Sequence, residues 1–396
     1  MERWAYVANI RLPSERADAV QVLNQCQALI QTGVQVELLV AWRLFKSPQA
    51  GQMSDLGRAF GLTRLPRIRQ IPCLDLSRLA DRLPGPLSLA VFYLQHLSFL
   101  GLALIVLALT RPQVVYVREV ALPFFGGRLL KRLGAKVVAE LHNFPQSRAG
   151  VELNRLALRR VDGLVVISQG LARSFGQAGL SPKRTLVAPD AVSEMFFTSL
   201  GRPQSLRQDL GLPPEGPIIL YAGGLYWAWK GVAGLIEAQA EMNERGWLVI
   251  VGGSPERRSR TDLEDLAGRL GLQRVIFCGW VVPARMPAYL QAADVLVLPN
   301  SAQTEISRCY TSPLKLFEYL ASARPVVASD LPSLKEILID GKNCLLARPD
   351  DPASLARTIG RVLDDPGLAR SLARAGRETA RAHTWAARAL KIRSIL

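Results

Sequence analysis

Residues 310–330 read YTSPLKLFEYLASARPVVASD. A Thr-Ser-Pro lead-in meets an apolar pattern of helical period, and that pattern runs into PVVAS, a short strand signal. Inside the helix stand Lys315 and Glu318, three residues apart and near its start. Ser312 suits an N-cap and Pro313 the first helical position. Free N–H groups and the dipole at such a start attract an anion, and Lys315 adds a cation. Glu318 lies one turn further, on the face shared with Leu314 and Lys315. A carboxylate there can accept from both hydroxyls of a ribose. Phosphate at the helix start with ribose one turn away is the layout of a bound nucleotide. An ordinary i,i+3 salt bridge on a surface helix would use the same two residues.

A second stretch supports the nucleotide reading. Residues 221–231 read YAGGLYWAWKG. A strand ends at Gly223 and Gly224, a loop follows, and Lys230-Gly231 opens the next helical pattern. A lysine at a helix start after a glycine-rich turn is again a phosphate site, although the spacing is not that of a P-loop and a solvent-facing lysine would read the same. VGGSP (251–255), with Gly253, and FCGW (277–280) also set glycines just after strands, where backbone must approach a ligand or a neighbouring turn.

Outward from these stretches the chain alternates strands and helices. The first half offers strands at 4–9, 36–42, 114–119, 136–141, 164–168 and 185–189. The second half offers 217–223, 247–253, 275–280, 295–299, 325–329 and 344–348, with helices at 231–244, 260–271, 283–293, 313–322 and 332–340 and helical sequence from 352 onward. Such alternation implies α/β domains with parallel sheets covered on both faces. The segment 198–216, rich in Gly and Pro, is expected to link them, with room for a short helix inside it. The expected domains are thus 1–197 and 217–370, with 371–396 a terminal helix packing back toward the first. Ligands of such sheets bind at the C-terminal ends of strands, at a switch point in strand order.

The second half resembles retaining glycosyltransferases of the GT-B architecture, family 4. The matching elements come in that family's order: Gly-Gly with Lys230-Gly231, then VIVGGSP, then VIFCGWVVPARMPAYLQAADVLVLPN, then SPLKLFEYLASARPVVASDLPSLKEIL. The first half matches more weakly, through VVYVRE, VVAELHN, LVVISQGLA and VAPDAV. The resemblance implies two doubly wound Rossmann-like domains facing across a cleft, the first for acceptor and the second for a nucleotide-sugar donor. It implies that Lys230 binds the donor diphosphate, Glu318 holds the ribose, and Ser312, Pro313, Leu314 and Lys315 line phosphate and sugar. Gly223, Gly224 and Gly253 fall in the donor-binding turns. His142 matches a histidine near the transferred sugar, although a structural histidine at a strand end would look the same. The implied activity is hexosyl transfer from a UDP- or GDP-sugar to a hydroxyl of a saccharide or lipid-linked acceptor, with domain closure and no metal or other cofactor. A non-catalytic scaffold and a nucleotide-sugar epimerase are the alternatives on this architecture.

Three departures stand out. Tyr310 occupies the place of the first of the family's paired glutamates, and Glu305 comes too early for it. Gly224 stands where an arginine is common, with Arg308 as a candidate substitute. RLPSERAD (11–18) replaces a glycine-rich first loop, so that Pro13, Ser14 and Glu15 would shape the acceptor side unless they merely connect.

Composition bounds the rest. The 396 residues carry a net charge of +16, and the first 200 hold 24 Lys/Arg against 13 Asp/Glu. A basic first half suits an anionic partner such as lipid headgroups, though arginine-rich codon usage would give the same excess. No basic stripe with interleaved aromatics suggests nucleic acid. Five scattered cysteines and no visible signal peptide imply a reducing, cytoplasmic setting. LSLAVFYLQHLSFLGLALIVLAL (87–109) is long enough to span a bilayer. Gln95 and His96 near its middle favour a docked helix, and peripheral membrane contact at the inner face is the expectation that follows.

Overall fold

The computed structural model describes residues 1–14, 16–43, 52–76, 83, 85–253 and 257–396, without the side chains of 86 and 257–259. Glu15 and the Ser254-Pro255 end of VGGSP lie outside the described residues. The chain divides into two compact units. One holds Met1–Ile167, Leu171–Ala188 and Arg388–Leu396, and the other Ser168–Gly170 and Pro189–Ala387.

The first unit runs β1 (Arg3–Ala8), α1 (Ala17–Gln31), β2 (Gln35–Ala41), α2 (Leu56–Phe60), β3 (Arg67–Ile71), α3 (Gly85–Thr110) and β4 (Val114–Val117). It continues with α4 (Ala121–Arg132), β5 (Lys136–Leu141), α5 (Arg148–Leu158), β6 (Gly163–Val166), α6 (Gln169–Gln177) and β7 (Thr185–Val187). Its seven strands are parallel in the order β3-β2-β1-β4-β5-β6-β7. The strands β4, β5 and β6 are buried almost throughout, as a sheet covered on both faces requires. β3, read as RIRQI, has no strand-like apolar signature. It is the sheet's edge, where Arg69 pairs with Glu37 of β2 at 2.8 Å.

α3 is apolar nearly all round, with a mean hydropathy of 2.0 over its most apolar window. It buries one stripe, Gln95, Phe99, Ala103 and Leu107, at four-residue spacing. The expected polar interruption docks the helix. Gln95 and His96 both meet Asn9, just past β1, and His96 Nε2 lies 3.5 Å from Glu119. Outside the stripe, Phe92, Tyr93, Leu97, Ile105 and Leu109 remain exposed.

The second unit runs α7 (Pro203–Asp209), β8 (Ile218–Ala222), α8 (Val232–Glu241), β9 (Trp247–Val251), α9 (Arg257–Arg269) and β10 (Val275–Gly279). Then come α10 (Met286–Ala292), β11 (Val295–Leu298), α11 (Leu314–Ala321), β12 (Val326–Ser329), β13 (Leu345–Ala347), α12 (Pro352–Asp364), α13 (Pro366–Arg381) and α14 (Trp385–Arg393), which belongs to the first unit from Arg388 onward. Its six parallel strands lie in the order β10-β9-β8-β11-β12-β13. The two-residue alternation is visible on β8. Leu220 joins Leu296, Leu316 and Leu320 on one face, while Ile219 and Tyr221 join Leu235, Ile236 and Ile359 on the other.

One local expectation needs correction. Where a helix was expected over 332–340, residues 332–337 form a string of turns, because three-residue and four-residue hydrogen bonds alternate there. Leu331, Leu334 and Leu338 are nonetheless buried at helical spacing, which is the pattern that suggested a helix. The segment 198–216 carries the short helix that its sequence left room for, α7, which buries Leu206 and seats Arg207 on Asp294 at 2.5 Å.

Candidate functional site

The strand order of the second unit reverses at β8 and β11, and the residues singled out by sequence gather beyond the C-terminal ends of these strands. α11 is tied to β8 by Tyr319, whose hydroxyl accepts from Ala222 N at 2.6 Å and donates to Ala222 O at 3.2 Å. This clamp brings Lys315, one turn earlier on α11, over the ring of Tyr221, with Nζ 4.1 Å from the centroid. A side chain at Gly223 could not share that space: its Cβ would stand 3.4 Å from Lys315 Nζ and 2.9 Å from the Tyr221 hydroxyl.

Lys315 is 7 % exposed, and its ammonium has no hydrogen-bond partner. Among the described residues no carboxylate lies within 4 Å of it, so the i,i+3 salt bridge with Glu318 does not form. Burial, the nearby charge of Lys230 and, in the opposite sense, Glu318 leave the Lys315 ammonium well below its ordinary pKa. Lys230 sits in a parallel arrangement, its Nζ 3.9 Å above the ring of Trp229, and burial pushes its pKa down to about 8. Two cations close enough to repel each other thus rest on aromatic faces with no counter-ion among the described residues, an arrangement whose charge suits a multivalent anion.

Glu318 completes the group. Burial and the charge of Asp190, offset by Lys315, push its carboxyl up to about 7. Gly231 holds the turn that delivers Lys230. It has φ 71°, and a Cβ there would fall 1.7 Å from the Pro299 carbonyl oxygen, so only glycine fits. Beside that contact, Ser301 N donates to Trp229 O at 2.9 Å.

The helix start differs from expectation. α11 begins at Leu314 with Pro313 as its cap residue, and Ser312 makes no cap. The Ser312 hydroxyl accepts instead from Asp190 N at 3.0 Å, which brings the neighbour of Glu318 into place. Gly253 lies against Trp280, and its carbonyl accepts from Leu225 N at 3.3 Å.

Two residues, Asn300 and Tyr226, escaped the sequence reading. Asn300, fully buried at the end of β11, has both side-chain polar atoms without a partner. Such a group is costly unless a ligand or water completes it. Tyr226 explains Gly224: a Cβ on Gly224 would stand 2.7 Å from the Tyr226 ring, so the tyrosine fills the room an arginine side chain would need. Tyr310 is buried, and its hydroxyl donates to Glu305 Oε1 at 2.5 Å from the far end of a π-type turn, Ile306–Tyr310. Glu305 itself, early in sequence, is thereby coupled to Tyr310. Arg308, the candidate substitute, is exposed.

In the first unit, His142 follows β5, and its Nε2 lies 2.7 Å from Oε1 of Glu140. Glu140 is fully buried. Burial alone would raise its pKa, but Arg388, His142 and Arg118 outweigh it and hold the carboxylate ionised, well below the usual range. Pro13 and Ser14 are buried between β1 and α1.

Comparison with known proteins adds two family models. "Glycosyl transferases group 1" matches residues 216–365, and "Glycosyl transferase 4-like domain" matches 19–191. The chain is 31 % identical over 233 residues to a 2-deoxystreptamine glucosyltransferase of Streptomyces kanamyceticus, covering 57 % of each chain. It is 34 % identical over 206 residues to a D-inositol 3-phosphate glycosyltransferase of Acidothermus cellulolyticus, covering 50 % of this chain and 44 % of that one. The chain spans about half the length of the curated relatives it matches. Among solved structures, sucrose-phosphate synthase from Thermosynechococcus elongatus aligns with TM-score 0.76 and 21 % identity over 100 % of this chain and 98 % of that one. Anabaena HepE in complex with UDP-glucose aligns with TM-score 0.76 and 18 % identity over 100 % and 99 %.

Proposed function

Because the chain belongs to the glycosyltransferases of GT-B architecture, family 4, we propose that it moves a hexosyl group from a UDP- or GDP-sugar to a hydroxyl of a saccharide or lipid-linked acceptor. The single observation that carries this is Lys315: a buried ammonium without partner, beside Lys230, at the switch point of a parallel sheet. An anion of more than one charge would answer both members of that pair, and a diphosphate is such an anion. Glu318, one turn away, accepts from the ribose.

In this mechanism the bond from the anomeric carbon to the diphosphate oxygen breaks, and negative charge grows on the leaving group. Lys230 and Lys315, fixed over Trp229 and Tyr221, stabilise that charge without reorganising. They take the part a divalent cation plays elsewhere, which supports transfer without metal. Retention at the anomeric carbon follows the family. His142 stands on the acceptor side.

The acceptor, on this proposal, is presented by a membrane. The exposed apolar residues of α3 are continued by Phe125 and Leu129 on α4, which packs so tightly on α3 that a Cβ at Gly126 would meet Leu104 at 2.1 Å. Arg111, Arg128 and Arg132 border that surface and would face anionic headgroups. The five free cysteines suit the cytoplasmic side.

A thermal-shift and calorimetric screen against UDP-, GDP- and ADP-sugars, with and without EDTA, tests the donor site. A base-selective shift that EDTA leaves intact, and that Lys315→Met abolishes, is expected. Binding with no turnover and no donor hydrolysis would instead indicate a scaffold, and no binding at all would overturn the donor site. Co-sedimentation with vesicles of anionic and of zwitterionic lipid tests the surface; equal recovery in the supernatant of both would overturn it.

A further inference from the structure

Beneath His142 lies a buried polar cluster that glycosyl transfer, as derived so far, does not use. Glu140 is its centre, with no exposure at all. Its Oε1 accepts from Gln21 Nε2 at 2.5 Å and lies 2.7 Å from His142 Nε2, while its Oε2 accepts from the Tyr116 hydroxyl and lies 3.0 Å from Arg388 Nη2. Arg388, 3 % exposed, comes from the last helix of the chain. It also donates to Gln25 Oε1 and, from Nε and Nη2, to the Ala188 carbonyl at 3.3 and 3.2 Å. A buried carboxylate and a buried guanidinium, drawn from positions 248 residues apart in sequence and bonded this fully, need more than ion pairing to account for them.

The consequence falls on the imidazole. Three groups face His142 Nε2: the Glu140 carboxylate at 2.7 Å, Arg118 Nη2 at 3.3 Å and Gln21 Nε2 at 3.5 Å. The first demands a proton on Nε2, and the other two demand a lone pair. The carboxylate is much the nearest and carries charge, so Nε2 holds the proton. Nδ1 then keeps the lone pair, and among the described residues it has no partner. The remaining titratable groups around the cluster, Tyr6, Tyr116 and Cys26, are neutral, each driven upward chiefly by burial.

We propose that Glu140 and Arg388 are positioning residues that lock His142 in the Nε2–H form, so that Nδ1 accepts a hydrogen bond from a substrate hydroxyl. The substrate class is that of the preceding section, a sugar or acceptor alcohol, and the proposal rests on that reading only in its last clause. Arg388 acts from the other side of the carboxylate: its Nη2, 3.0 Å from Oε2, fixes Glu140 beneath the ring.

The chain has three histidines, at 96, 142 and 383, so imidazole nitrogen spectra of the full-length protein are tractable. Long-range 1H–15N correlation on 15N-histidine protein, assigned with His142→Gln, reads the tautomer directly at a pH where the ring is neutral. The wild type is expected to show the lone-pair nitrogen at Nδ1. In Glu140→Gln the two donors, Arg118 and Gln21, gain the upper hand, and at least half of the population is expected to switch to Nδ1–H. Arg388→Lys keeps the charge and is expected to keep the wild-type pattern, which guards against reading mere unfolding as a result. A wild-type ring already in the Nδ1–H form, or a Glu140→Gln ring that does not switch, overturns the lock. If the lock holds while His142→Gln leaves transfer rates within twofold of wild type, the acceptor-side role of His142 fails and the tautomer assignment survives.

Discussion

Each unit of the chain buries a charged centre at the end of a parallel strand, and the two centres are built on opposite principles. In the first, Glu140 meets Arg388, His142, Gln21 and Tyr116, and its charge is answered from within the protein. In the second, Lys315 and Lys230 lie on aromatic rings, and neither has an ion-pair partner among the described residues. The strand order is the same through the first six positions in both sheets, so topology does not explain the contrast. A charge that is satisfied serves shape and orientation. A charge left unsatisfied at a switch point is kept for something that arrives from outside.

Removal of one charge from each centre should therefore have opposite effects on the free protein. Arg388→Met strands an ionised, buried Glu140 and should destabilise the protein by about 3–5 kcal/mol, measured as a large fall in melting temperature at pH 7. The sign with pH also follows. Glu140 is held below its unfolded value, so its stabilisation is present above the ordinary carboxylate range and lost as pH falls through and below it. The melting temperatures of wild type and variant should accordingly converge on acidification. If Arg388→Met melts like the wild type at pH 7, the first centre is not the closed ionic unit described here.

Lys315→Met removes a buried cation that has no partner, so the unliganded protein should melt no lower than the wild type, and higher if anything. The same change should weaken binding of a nucleoside diphosphate by roughly 100-fold, the effect of a truncated buried charge contact. A drop in stability together with intact binding would mean that Lys315 belongs to the folded core alone.

Glu318→Gln sharpens the contrast at a smaller scale. The amide keeps the shape and one acceptor but loses the charge, and a charge-assisted bond to ribose is worth about 1.5–3 kcal/mol. Affinity for a ribonucleotide should fall about tenfold or more, whereas affinity for inorganic pyrophosphate should not fall. Equal losses for both ligands, in competition calorimetry, would detach Glu318 from the ribose.

The sequence made the donor half legible because its chemistry is local. Lys230-Gly231 and Lys315 with Glu318 each lie within one turn of a helix start, and the strands between them are apolar enough to be read directly. What could not be read was whatever depends on contacts distant in sequence. Asn300 looks like any loop residue until the end of β11 is seen to bury it unpartnered. Ser312 looks like a cap until Asp190, over a hundred positions away, takes its hydroxyl. β3 was hidden because an edge strand tolerates the arginines of RIRQI. The bond from Arg388 to Glu140 joins the last helix to the fifth strand, and no periodicity in either announces it. Tyr226, filling the space above Gly224, shows the same limit from the other side: the departure at Gly224 was visible, and its compensation was not.

The smallest expected effect comes from protons alone. In the free protein Lys230 titrates near about 8 and Glu318 near about 7, the first lowered by burial, the second raised by burial and Asp190. A bound diphosphate favours protonated Lys230, and a bound ribose favours ionised Glu318. Affinity should therefore rise as pH climbs through about 7, then fall by about twofold by pH 8 and by about tenfold per unit beyond it. The basic limb is shared by the lysine pair, since Lys315 is lowered too and each ammonium repels the other. Above the optimum, binding must take up protons, which calorimetry in buffers of different ionisation enthalpy detects. Glu318→Gln should erase the acidic limb and leave the basic one in place, because the two limbs arise from different groups. Glu140, whose charge is answered within the protein, should add nothing to the pH dependence of nucleotide affinity, although it sets that of stability. A nucleotide affinity that is flat from pH 6 to 9 would mean that the two lysines are solvated and ordinary, and the contrast between the two centres would then be one of packing alone.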